Sequence, residues 1–345
     1  MLSDTQILDL VNSTLAKFDK DKFEQIAQEL QEYYFFKELT TNRGGVAVKD
    51  GGVGIEETLM TNFGGRSRWV GLYAQDSSIV RDYLAKIRVN WKTLTDSVEY
   101  DRGELSRNSG ASRILNVIKP RRTAMMLRVA ATLEDAFFGT PDADDDLTMW
   151  GLKYWIVKNA TTGFNGGAAA GFTTVGNVNL TKVPNYKNYT DTYTEVSKAD
   201  LIKSMRTAHR KTHWVSPISG TEFKSETGQR RRILVNEATI NAIETVGEAQ
   251  NDNLGRDIAS MDDMTVFKKH PIQWVPALDA DTSNPVYMID LASFKPVVLK
   301  GEYMRRSDAV NMAAGGQHNV FKSCFDLTIQ TLCYNRRANA VLYVA

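Results

Sequence analysis

Histidine, cysteine and proline are scarce in this chain of 345 residues, with four His, two Cys and eight Pro. Two cysteines, Cys324 and Cys333, cannot make a disulfide framework. Nine residues apart in a strand-like stretch, they face opposite ways and are poorly placed to bridge each other. They read as small buried hydrophobes of a reducing compartment. An excess of one charge is also lacking, with 42 Lys plus Arg against 41 Asp plus Glu. That balance excludes a global field able to hold nucleic acid or an anionic membrane, so any such contact is local. No apolar run approaches the ~20 residues of a membrane span. The opening MLSDTQILDLV has no basic segment and no long apolar core, so no export signal is expected. The Asn-x-Thr triplets at Asn12, Asn159, Asn179 and Asn188 then read as chance matches, not glycan acceptors.

Catalytic sets are missing as well. There is no Walker-type Gly-Lys-Ser/Thr, and no Gly-x-Ser-x-Gly elbow. The glycines of GFNGGAAAGF, residues 163–172, do not match a dinucleotide loop, and no helix pattern follows them. Asp142, Asp144, Asp145 and Asp146 lack the glycine and terminal glutamate of a calcium loop and read as solvated. His209 and His213 stand four apart at the end of a helical pattern, a zinc-ligand spacing. Their neighbours are cations and no glutamate follows His209, so they read as complements of a helix C-terminus. Arg230, Arg231 and Arg232 could meet phosphate, but as a bare charge run they read as a solvated strand entrance. No enzyme activity, cofactor or metal is expected.

What the chain does have is periodicity. Around it all stands the stretch 112–139, where Met125, Val129, Leu133 and Phe137 fall at four-residue spacing with Met126, Ala130 and Phe138 beside them. This is one buried stripe of a helix predicted over 120–138, with Pro120 at its first position, Gly139 at its end, and Arg121, Arg122, Arg128 and Asp135 on a wet face. Two amphipathic helices are predicted ahead of it, over 3–18 and from Asp21 to about Tyr34. From about 44 to 108 glycine is dense, and residues 83–92 alternate Tyr83, Ala85, Ile87, Val89 and Trp91 with a cationic side. Sixty residues of ribbon are too long for a loop and too poor in apolar residues for a domain, so the ribbon must lie on something. From these residues, a neighbouring subunit and its own core are equally open. Residues 149–157 read as a buried strand, 200–212 and 237–251 as helices, 266–300 as strands around turns, and 320–333 and 340–344 as strands.

Several separate blocks resemble the major capsid proteins of tailed bacteriophages. They are RSRWVGLYAQDS, KIRVNWKTLTDSVEYDRGE, IKPRRTAMMLRVAATLEDAFFGTP, GLKYWIVKNATTGFNGG, EAQNDNLGRDIASMD, IQWVPALDAD, NPVYMIDLASFKPVVLKGEYMRR and LCYNRRANAVLYVA, in that order from about Gly44 to Ala345. The resemblance implies an α+β chain of the Hong Kong phage-type capsid fold. Its parts would be an N-terminal helical arm over 1–43, an extended β-hairpin or E-loop over 44–108, a peripheral domain over 109–214 with a spine helix at 120–138, an axial domain over 215–310, and C-terminal strands, 311–345, returning to the peripheral domain. It also implies a non-enzymatic shell protein that forms pentamers and hexamers around double-stranded DNA, in virions assembled in the host cytoplasm. The expected partners are further copies, a separate scaffolding protein, portal and decoration proteins, and packaged DNA through weak, sequence-independent contact; no membrane is expected. Lys86, Ile87, Arg88, Val89, Trp91 and Lys92 become candidate intersubunit contacts, and Arg121, Arg122, Met125, Val129, Leu133 and Phe137 the spine. The alternative within this fold is an encapsulin-type nanocompartment shell.

Overall fold

A computed structural model describes residues 33–41, 45–61, 69–73, 75, 83–107, 111–213, 231–251 and 265–345. The helix predicted over 3–18, and most of the one predicted to follow it, lie outside those residues. A helix Tyr34–Thr41 is described at their near end.

The long helix, Ala111–Phe138, is the frame on which the rest is laid. Met125, Val129, Leu133 and Phe137 are all buried, with Ala130 and Phe138 beside them. The helix does not begin at Pro120: it carries that proline inside, on an exposed position, and its 28 residues span about 42 Å. An interior proline forfeits one main-chain bond and costs ~3 kcal/mol. Four buried stripe residues, at roughly 1.5–3 kcal/mol each, can offset that. The arginine face is only partly wet. Arg121 clasps both carboxylate oxygens of Glu104, at 2.6 and 2.8 Å, and donates to Glu99 O at 3.1 Å. Arg128 holds Asp96 and reaches Ser97 O at 3.4 Å, and Arg122 is buried. The guanidinium groups of Arg121 and Arg128 therefore bond to the edge of a strand while staying partly open to water.

That strand is β4 (Lys92–Asp101), paired antiparallel with β13 (Val320–Cys333) from Val320–Asp101 to Ile329–Lys92. Carbonyls two residues apart share an edge, so Ser97 O and Glu99 O both point away from β13. Along the other edge of β13 lie β10 (Phe294–Leu299), β11 (Arg305–Arg306) and β12 (Val310–Asn311). A short parallel β1 (Ala47–Lys49) lies outside β10. Phe325, Leu327, Ile329, Thr331 and Cys333 are buried as their alternation predicts. Thr328 and Gln330 are buried too, so both faces of β13 are covered in its second half.

The second sheet has the order β5 (Tyr189–Tyr193), β14 (Ala340–Val344), β9 (Val286–Asp290), β6 (Arg231–Val235), β8 (His270–Trp274) and β7 (Val266–Phe267). The helices Leu201–Thr212 and Glu237–Asn251 pack on it, over a separate apolar cluster that includes Leu201, Met205, Ile233, Ile272, Met288 and Leu342. Residues 311–345 therefore divide between the sheets: β13 belongs to the first and β14 to the second. The chain crosses over at Asn335–Asn339. There the Asn339 side chain accepts from Asp290 N at 2.8 Å and donates to Asn335 O at 3.0 Å. Likewise β10, whose number falls within 215–310, lies in the first sheet.

Two further readings change. Residues 149–157 are not a strand: Leu152–Trp155 is a helical turn entered from an extended Gly151, and the Trp150 ring ahead of it stacks on Tyr154 with centroids 4.3 Å apart. An apolar run of that length suits either element, and periodicity alone does not tell them apart. Arg231 is no solvated entrance, being 1 % exposed and opposite Asp290 in register; Arg230 lies outside the described residues. Arg336 is also enclosed. Its guanidinium donates to Trp155 O at 2.6 Å, Tyr186 O at 3.1 Å, Gly167 O at 2.8 Å and Asn188 Oδ1 at 3.0 Å, pinning the glycine-rich segment to the crossover.

Candidate intersubunit surface

The glycine-rich ribbon forms a hairpin of β2 (Gly54–Met60) and β3 (Leu84–Asn90), in register from Gly54–Asn90 to Met60–Leu84. The predicted strand over 83–92 is interrupted at Trp91, which separates β3 of the hairpin from β4 of the first sheet. The base of the hairpin is held by its own chain. Ile55, Ile87 and Val89 are buried. The N–H of Arg88 donates to Gly176 O at 2.9 Å, and Trp91 Nε1 donates to Gly52 O at 3.0 Å. Gly176 has φ +55°, and a Cβ there would lie 2.8 Å from Ile87 Cγ2 and 3.0 Å from the Trp155 ring. Only glycine lets the two segments approach this closely.

Ile87 and Val89 were expected to face a neighbouring copy. They are already enclosed by the chain's own core, so that role passes to other residues. Lys92 is similarly spent: it is buried, and its Nζ donates to the Asp146 carboxylate at 2.6 Å. Trp91 packs against the main cluster. Lys86 and Arg88 stay exposed, with nitrogens 4.0 and 3.7 Å from Glu56 carboxylate oxygens across the hairpin. The apolar surface left over lies further out. Between the two strands, Trp69 and Tyr73 are fully exposed, Leu72 is 93 % exposed and Val70 63 %. Met60 and Leu84 close the strands with exposed side chains, and Val53 stands exposed beyond the base. WVGLY counts in the sequence only as part of a resemblance block and yields no contact candidate, because its apolar residues have no period. The signal available was their density in a glycine-rich stretch.

The acidic loop stays at the surface, as its reading as a solvated loop predicts. Asp142 and Asp145 accept main-chain N–H groups of their own loop, from Asp144 at 3.0 Å and from Leu147 at 2.7 Å. His209 meets His213 and His270, with ring centroids 6.0 and 5.4 Å away. Burial, with Arg231 and Lys268 nearby, pushes His209 down to about 4. A ring that is neutral at pH 7 adds no charge to the helix end, so the expected complement of the helix dipole is absent from this residue. Among the described residues no group of three or more His, Cys, Asp and Glu is arranged to hold a metal ion, and no helix is long and apolar enough to cross a membrane.

The overall fold of the chain is met in solved structures. The capsid asymmetric unit of cyanophage A-1(L) matches with a TM-score of 0.62 at 13 % identity, over 94 % of this chain and 95 % of that one. This is the tailed-phage capsid fold. The capsid of a native GTA particle matches at TM-score 0.60 and 12 % identity, over 95 % of each chain. The capsid of Myoviridae phage XM1 follows at 0.55 and 12 %, over 95 % of this chain and 97 % of that one. No protein-family model and no curated protein matches the sequence.

Proposed function

We propose that this chain is a major capsid protein, a structural subunit that assembles with copies of itself into pentamers and hexamers and so into the icosahedral head of a tailed phage. The observation that carries the reading is the hairpin. Its base is fixed by the chain's own core, while Trp69, Val70, Leu72 and Tyr73 are presented to water at its far end. Monomeric proteins rarely leave so many large apolar side chains together in solvent, and such a patch marks a contact surface. A neighbouring copy is the natural cover, because a head-to-tail contact that closes into a ring satisfies every hairpin at once. The fold shared with the phage capsid chains supports the same reading.

In this reading the long helix and first sheet form the peripheral body and the second sheet the axial body that meets its copies around the ring centres. Residues 1–43 are the arm and 44–108 the hairpin that lies over the adjacent subunit. Lys86 and Arg88 supply charge at that contact. Scaffolding, portal and decoration proteins are its companions, and packaged DNA touches its inner face weakly, as near-neutral charge requires. Electron microscopy of the expressed chain, alone and with co-expressed phage genes, tests the proposal. Rings or closed shells are expected, and a monodisperse monomer in every preparation, at every concentration, refutes it.

A further inference from the structure

The Arg231 guanidinium has more donors than the groups around it accept. It is 1 % exposed, on β6, and its Nη1 donates to His209 O at 3.2 Å, in the last turn of the helix Leu201–Thr212. Its Nε and Nη2 are buried and have no hydrogen-bond partner among the described residues. Those two nitrogens form one edge of the guanidinium, the parallel pair of N–H groups that grips a carboxylate or phosphate with two bonds. His209 Nε2 is a third buried nitrogen without a partner among them. With its proton there, the neutral ring donates as well. Buried donors left unpaired are costly, most of all on a charged group.

The charges around this corner are nearly all positive. The His270 ring lies 5.4 Å from that of His209, and the exposed His213 stacks on His209 at 6.0 Å. Burial first, and then the Arg231 charge, hold both His209 and His270 below the ordinary histidine value. Lys268 and Lys269 make the turn from β7 to β8 with φ of +47° and +69°. Such turns ordinarily use asparagine and glycine, so two lysines here are held against their backbone preference. Asp290, across the ladder and fully buried, offsets part of this charge but accepts nothing from Nε or Nη2. The helix end carries a partial negative charge, which Arg231 Nη1 and the last-turn residues Arg210 and Lys211 oppose. A metal ion is repelled by such a corner, and an anion is drawn to it.

We propose that Arg231 and His209, with the cations around them, form a site for a small tetrahedral oxyanion, phosphate or sulfate. Two of its oxygens take the Nε and Nη2 edge of Arg231, and a third takes the Nε2–H of His209. Lys268 and His213, both exposed, stand at the rim and supply the attraction for entry. An oxyanion offers what a water molecule does not, namely two acceptors at the spacing of the fork and the charge to match it. Because the guanidinium is enclosed, the site favours a free ion over the phosphates of a nucleic-acid strand. The bound ion ties the last turn of the helix to the strand beneath it.

Equilibrium dialysis of the full-length chain against radiolabelled inorganic phosphate, with sodium chloride holding the ionic strength constant, tests the site. Saturable binding of one phosphate per chain is expected, with sulfate competing. Arg231→Lys keeps the charge but not the fork and should bind about tenfold more weakly, and Arg231→Met should not bind. Phosphate should also raise the urea midpoint of the wild type and leave that of Arg231→Met unmoved. A wild type that binds no phosphate, or binds it without saturation, overturns the proposal. So does Arg231→Lys binding with wild-type affinity, or release of the phosphate by duplex DNA at equal ionic strength, which would place the anion on the open surface. Where a substituted chain does not fold, the wild-type stoichiometry and the sulfate competition decide alone. The readout is a bound ion and not a shell, so it stands or falls apart from the capsid reading.

Discussion

The two ends of the hairpin are made from one ribbon and meet opposite fates. At the base, Ile87 and Val89 alternate with Arg88 and are sealed by Gly176, Trp155 and the strand opposite. Between the strands, Trp69, Leu72 and Tyr73 have larger apolar surfaces and stand almost fully exposed. Hydrophobicity alone does not say which end is buried. What distinguishes them is the supply of partners: the base passes a glycine corner and an aromatic core, whereas Trp69, Leu72 and Tyr73 are left exposed. The base therefore belongs to the stability of the single chain, and the tip to association. Substitutions at the two ends should separate cleanly in what they damage.

The sharpest break comes at the base. Ile87→Asp places a carboxylate where the side chain has no solvent access and the neighbours are apolar, and should cost more than about 4 kcal/mol, read as lost soluble chain or a collapsed urea midpoint. Gly176→Ala is milder. The left-handed backbone and a Cβ 2.8 Å from Ile87 Cγ2 predict a loss of about 1–3 kcal/mol in urea denaturation. An unchanged midpoint in Gly176→Ala would mean that the base is not the tight joint described.

How much of this the sequence shows depends on the range of the interaction. The stripe Met125, Val129, Leu133, Phe137 is legible because a helix buries what its own period puts on one face. The alternation of β13 is legible for the same reason. Pro120 misleads because local rules place it at a helix start, while the observed helix carries it inside. Arg231 misleads more, and Arg336 draws no notice in the sequence. A charged residue reads as solvated, and nothing nearby in sequence announces that Arg336 will be met by carbonyls from Trp155, Gly167 and Tyr186. The hairpin is half legible: its alternation marks Ile87 and Val89 as one face, but not whether that face meets its own core or a neighbour. Glu134 could not be found from sequence at all, since its partners are main-chain amides about a hundred residues away.

At the tip the expected pattern inverts. Trp69→Ser combined with Tyr73→Ser removes two fully exposed rings, so single-chain stability should move by less than about 0.5 kcal/mol. Assembly should suffer far more. Exposed aromatics that become enclosed by a partner are typical contact hot spots, each worth about 2 kcal/mol or more, so the double variant should raise the concentration needed for rings or shells at least tenfold, measured by light scattering. If assembly proceeds unchanged, the tip is not the contact.

The smallest effect, and the finest test, lies between the two ends. Lys86 and Arg88 are exposed and stand 4.0 and 3.7 Å from Glu56, a geometry worth about 0–1 kcal/mol in a single chain. Within the monomer, Arg88→Ala should therefore be nearly silent in urea denaturation, whatever the salt. If the same guanidinium also meets an acidic group of the adjacent copy, its charge contributes at a partly enclosed interface, where screening over a Debye length of about 8 Å still reaches the rim. Wild-type assembly should then weaken with added salt, and Arg88→Ala should assemble slightly less well with a shallower salt dependence. A slope identical to that of the wild type would confine Arg88 to its own hairpin. Base and tip would then account for the contact between them, with no electrostatic share from the strand that joins them.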